Sequence, residues 1–155
     1  ESGRAQMDFN AIAQMPATLD FSDPASLVTL EQRVDLTDLI DYLILHAWLG
    51  NHSLEMWSGP QLYGHRQYYA GRSWLEGKPF RFFTWDAETT LESPTDLALD
   101  VTPQASALGR LAVSPVFRRQ FADRVQRHLF GDGALAGNRP RARTRADLDP
   151  LQPPF

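Results

Sequence analysis

Apolar residues recur at three- and four-residue steps between Asp35 and Leu49: Leu36, Leu39, Ile40, Leu43, Ile44, Ala47 and Trp48. That spacing predicts one helix with a wide apolar stripe, the main core element of the chain. Asp35, Asp38 and Asp41 lie near its N-terminal end, where negative charge complements the helix dipole. Gly50-Asn51 follows as a pair suited to a left-handed cap. A second stripe, Phe117, Phe121, Val125 and Leu129, predicts a helix from Pro115 to about Phe130, opened by the cap-plus-proline pair Ser114-Pro115. Arg118, Arg119, Arg124 and Arg127 occupy its other faces and read as a solvated surface. Asp23-Pro24 signals another helix start, with Leu27, Leu30 and Val34 facing inward. Shorter helices are expected within residues 1–15, around Met7, Ile12 and Met15, and over Gln104 to Val113.

A two-residue period replaces the helical one between Lys78 and Trp85. Phe80, Phe82 and Thr84 share one face of an extended chain, and Arg81, Phe83 and Trp85 the other. Aromatic residues on both faces predict a strand covered on both sides and central to its sheet. Residues 67–72 read as its antiparallel partner, so the two form a hairpin. Residues 51–66 are expected as a long polar loop, and long ordered loops are often functional. Residues 89–103 look irregular. The arginine- and proline-rich stretch after Gly131-Asp132-Gly133 shows no apolar period and is expected to be extended or disordered.

Composition narrows the picture. The 155 residues suit one domain or part of a larger one, and 43% hydrophobic content is enough for a core. A net charge of −4 gives no electrostatic case for nucleic-acid binding. No apolar run approaches the roughly 18 residues of a membrane span. The chain has no cysteine, which excludes disulfides and thiolate metal sites. It begins on Glu1 rather than methionine, so further sequence is expected upstream.

Familiar site motifs are missing. His46, His52, His65 and His128 form no closely spaced zinc-ligand pair, and His46 reads as a helix-surface or core histidine. There is no Gly-x-Ser-x-Gly elbow and no phosphate-binding glycine loop. What stands out is Asp86, where the aromatic strand stops, with Glu88 two residues on. Carboxylates at the end of a rigid strand can hold a metal or act as a base, and they suit Mg²⁺, which takes few protein ligands. A simple turn cap is the alternative for Asp86.

Several separated blocks, in order, resemble the CotH family of spore-coat and surface-protein kinase-like proteins. They are Leu39 to Leu45, Gly50-Asn51, Tyr69-Ala70-Gly71-Arg72, Phe80 to Glu88, Ser114 to Arg118 and Phe121 to Phe130, within roughly residues 25–135. The resemblance implies an α+β chain: a helical, C-lobe-like part of an atypical protein-kinase-like fold, with an antiparallel β-hairpin at the cleft. It divides the chain into an N-terminal segment 1–24, a core segment 25–135 and a tail 136–155. It implies transfer of phosphate from ATP to protein with Mg²⁺ or Mn²⁺. The metal residues so implied are Asp86 and Glu88, with Gln67 standing where relatives carry an asparagine. A protein substrate or surface partner, and a secreted or cell-surface location, follow from the same resemblance.

The chain also departs from the family. Many relatives read Gly-Asn-x-Asp-Trp after the main helix, with the aspartate as base. Here Gly50-Asn51 is followed by His52 and Ser53, and a shifted alignment places Glu55 in that role beside Asn51. The family's ATP-gripping N-terminal half has no counterpart in these residues. Association with that missing half, or self-association, is therefore expected. A non-catalytic surface or adhesion module on the same scaffold is the alternative.

Overall fold

The computed structural model describes residues 15, 18–51, 55–56, 65–66, 68–73, 77–85, 87, 90–91, 107–137 and 139–148. The expected helix within residues 1–15 lies almost wholly outside them. The chain divides into two compact units, Glu1–Gln120 and Phe121–Phe155.

The first unit is built on helices α1 (Pro24–Glu31) and α2 (Leu36–Leu49). Asp23 caps α1 by accepting the Ala25 N–H at 2.9 Å, and Pro24 follows in the first turn, as the sequence predicts. Asp35 caps α2 by accepting the Asp38 N–H at 3.0 Å. Gly50 ends α2 with φ 62°, a left-handed cap that glycine adopts without a Cβ penalty. Leu36, Leu39, Ile40, Leu43 and Ile44 are buried, so most of the predicted stripe faces the core, while Ala47 and Trp48 at its end are only half-buried. Two short strands pair antiparallel within the stretch expected as a plain loop: β1 (Glu55–Met56) and β2 (His65–Arg66). The expected hairpin is present as β3 (Tyr68–Gly71) and β4 (Arg81–Thr84), with Tyr69 opposite Phe83 and Ala70 opposite Phe82. Mixed helix and antiparallel sheet make the architecture α+β.

The hairpin corrects one expectation. Among the described residues its sheet has two strands, so β3 is the only strand beside β4 there. Phe80 and Phe82 are buried, but Phe83 is 50% and Trp85 65% exposed. One aromatic face therefore packs on α2, through Tyr42 at 5.8 Å from Phe82, and the other stays open. Aromatic residues on both faces are compatible with burial on both, but they do not require it.

The outer edge of β4 is closed by the chain between α1 and α2. Val34 bridges Phe80 in parallel, Phe80 N–H donates to the Arg33 carbonyl at 2.7 Å, and Asp35 N–H donates to the Phe80 carbonyl at 2.9 Å. Asp38 completes the closure. One carboxylate oxygen accepts the Phe82 N–H at 2.7 Å, and the other accepts Arg81 Nε and Nη2 at 2.9 and 2.7 Å. Asp38 thus serves mainly to join strand to helix, beyond complementing the dipole. Its side chain is 15% exposed, while Arg81 is 63% exposed, so the Phe82 bond carries more weight than the ion pair. Asp38→Ala removes the acceptor of the Phe82 N–H and should cost about 2 kcal/mol in a urea titration, and Arg81→Ala should cost much less.

Helix α3 (Ala107–Leu111) lies inside the predicted 104–113 stretch. Helix α4 (Pro115–Leu129) begins in the first unit, where the Ser114 hydroxyl accepts the Phe117 N–H at 3.3 Å and Phe117 is fully buried. Arg118 donates to the carbonyls of Ala112 and Val113 at 2.7 and 3.2 Å, tying down the end of α3. Its guanidinium is therefore more than a solvated charge.

In the second unit, Phe121, Val125 and Leu129 are only half-buried. The turn after α4 holds Gly133 where a Cβ would run into the carbonyl oxygens of Arg127 and His128. Helix α5 (Arg139–Leu148) corrects, over those residues, the expectation of an extended or disordered tail. It lacks an apolar period, but its arginine, alanine and leucine residues are good helix formers, and Pro140 sits in the first turn where proline is tolerated. Arg139 also anchors its start, donating to the Asp132 carboxylate at 2.6 Å and to the Asp132 carbonyl at 2.7 Å. Among the described residues, no helix is long and apolar enough to cross a membrane.

Candidate functional site

Helix α2 and strand β4 run in the same direction. Asp38, early in α2, meets Arg81 and Phe82; Tyr42, one turn on, meets Phe82; and Leu49, the last helical residue, accepts the Leu91 N–H at 2.8 Å. The chain leaving β4 is thus brought back onto the C-terminal end of α2. A turn closes on the way, with Thr90 N–H donating to the Ala87 carbonyl at 3.3 Å. Leu91 holds φ 61°, a left-handed conformation that a leucine adopts only at a cost of about 1–2 kcal/mol. The backbone bond to Leu49 helps hold it there.

Asn51 sits at this same end and is 4% exposed. Its N–H donates to the His46 carbonyl at 3.0 Å, and its side-chain Nδ2 lies 2.8 Å from His46 Nδ1. A carboxamide nitrogen can only donate, so Nδ1 accepts. The His46 ring is therefore neutral with its proton on Nε2. The ring is fully buried, 4.2 Å from the Tyr42 ring centroid, and Nε2 has no hydrogen-bond partner among the described residues. An unmet buried donor costs about 1–3 kcal/mol. Burial also pushes the imidazole pKa down to about 4.

The α2 terminus is electronegative, as helix C-termini are, and cations are favoured there. The carbonyls of His46, Ala47 and Leu49 are occupied by Asn51, Gly50 and Leu91 N–H groups.

The sequence-derived site residues fall unevenly on the structure. Asn51 is described, buried, and engaged with His46. Glu55 is in β1, opposite Arg66. Gln67, Asp86 and Glu88 lie outside the described residues, as does Ser53. The described residues on either side of the two acidic positions are Trp85, which is exposed, and Ala87, which is half-buried. Among the described residues, no group of three or more histidine, cysteine or acidic side chains is arranged to hold a metal ion. The partnership of His46 with Asn51 was not legible from the sequence. The only hint was their five-residue separation across a helix end.

No protein-family model matches the chain, and no curated protein or solved structure is significantly similar to it.

Proposed function

We propose that the C-terminal end of α2, to which the chain leaving β4 returns, is a divalent-metal and nucleotide site, in a CotH-type atypical protein kinase that transfers phosphate from ATP to protein. Asp86 and Glu88 would hold Mg²⁺ or Mn²⁺, with Gln67 as a further oxygen ligand, and Glu55 and Asn51 would stand on the substrate-hydroxyl side. The observation that carries this reading is the Leu91–Leu49 bond, because it returns the chain just after residues 86–88 to the helix end that bears Asn51. The negative pole of α2 adds a cation preference at that end. The metal would neutralise charge developing on the transferred phosphoryl group. Full-length protein incubated with Mn²⁺ and labelled ATP should transfer label to protein, and transfer should stop on chelation.

The exposed Tyr69, Phe83 and Trp85 face, together with Ser53 in the expected base position, favours a second reading. On that reading the scaffold is a non-catalytic surface or adhesion module, and no label is transferred.

A further inference from the structure

We propose that His46 is a positioning residue for Asn51, holding its carboxamide in one rotamer at the C-terminal end of α2. What that position serves rests on the phosphate-transfer reading above, while the contact itself rests on geometry alone. Asn51 is tied twice to the same residue, through backbone N–H to the His46 carbonyl at 3.0 Å and through Nδ2 to ring Nδ1 at 2.8 Å. The imidazole is held in turn by Tyr42, at 4.2 Å between ring centroids, and Tyr42 packs on Phe82 of β4. Orientation is thus passed from the strand through two rings to the asparagine.

Core stability does not account for a histidine here. Its Nε2–H is buried and has no partner among the described residues. An apolar ring of similar size would fill the same space with no unmet donor. What histidine adds over such a ring is the acceptor at Nδ1, and that acceptor meets Asn51. Groups that orient a functional side chain from behind commonly change activity by about 10–100-fold when removed.

Two substitutions in the full-length protein separate positioning from stability. His46→Phe keeps a ring and removes the acceptor. His46→Asn keeps an acceptor near the place of Nδ1 and removes ring volume. His46→Phe should melt at or above the parent's temperature, while the Asn51 side-chain NMR signals show averaging over rotamers. His46→Asn should melt lower yet keep a single Asn51 rotamer. A histidine that serves packing alone would make melting temperature and Asn51 order move together in both variants, and that result overturns the proposal. So does a ¹⁵N spectrum of the parent showing the proton on Nδ1. In the transfer assay, His46→Phe should lower turnover by about 10–100-fold with KM for ATP unchanged, and His46→Asn should retain most of the turnover. If the parent transfers no phosphate, the phosphate-transfer reading fails, and the Asn51 rotamer still decides the role of His46.

Discussion

Asp86→Ala in the full-length protein is expected to lower Mn²⁺-dependent phosphate transfer by about a thousandfold or more. A phosphoryl transition state offers little covalent chemistry for a protein to assist, so metal charge and alignment supply most of the acceleration. On the proposed reading Asp86 holds the metal, so its removal takes away both. Asp86→Asn separates charge from shape, because the amide keeps the volume and loses the negative charge. It should be nearly as damaging as alanine. Loss of activity with an unchanged melting temperature is the expected result; equal transfer in the parent and both variants would show that Asp86 holds no catalytic metal, and no transfer in the parent would favour the non-catalytic module. Steady-state transfer of labelled phosphate, with variants matched for folding by thermal melts, makes the comparison.

Acid should destabilise the first unit through His46 by up to about 3 kcal/mol. The folded protein keeps this imidazole neutral down to about pH 4, because burial penalises the cation. In the unfolded chain the same group titrates at an ordinary value near 6.5. Between those two values the unfolded state binds a proton that the folded state refuses, so stability falls as pH is lowered through that window. Above pH 6.5 the group is neutral in both states and the full stability is present. Urea midpoints from pH 7.5 to 4.5 measure the loss. His46→Phe provides the control, since it should flatten this part of the profile and leave the carboxylate contributions in place. A profile identical in parent and variant would show that His46 is not the titrating group.

The fold was legible where one local signal and one packing requirement agreed. Most of the α2 stripe, the Asp23 and Ser114 caps and the left-handed Gly50 read directly, because each rests on side-chain chemistry within one turn, whereas the Asp35 cap emerges only in the structure. The hairpin was legible from its two-residue period, but not which of its faces is covered. Covering depends on where a helix packs, and α2 covers only the Phe80–Phe82 side. Helix α5 was missed because its sequence has propensity and an anchoring ion pair to Asp132 but no apolar stripe. The role of Asp38 was misjudged for a related reason. Its partners Arg81 and Phe82 are more than forty residues away, so helix-dipole reasoning saw only the local half of its role.

The candidate site was legible only in part. Asn51 follows from a motif, and the structure adds its contact with His46. Asp86 and Glu88 were singled out from the end of the aromatic strand. The closure of the following turn onto Leu49 depends on one long-range backbone bond that no side-chain pattern announces. The left-handed Leu91 is likewise invisible in sequence, since leucine gives no sign of positive φ.

On the proposed reading a divalent cation binds at the C-terminal end of α2, where the chain leaving β4 returns through Leu91. Substoichiometric Mn²⁺ added to ¹⁵N-labelled full-length protein tests it most directly, because the paramagnetic ion broadens only nearby amide signals. The 14 residues of α2 separate its two ends by about 20 Å, enough to make the effect one-sided. Early loss of the Asn51, Ala87 and Leu91 amide signals is expected, with Thr37 at the opposite end of α2 remaining sharp. Broadening centred elsewhere, or uniform broadening along the chain, would contradict it.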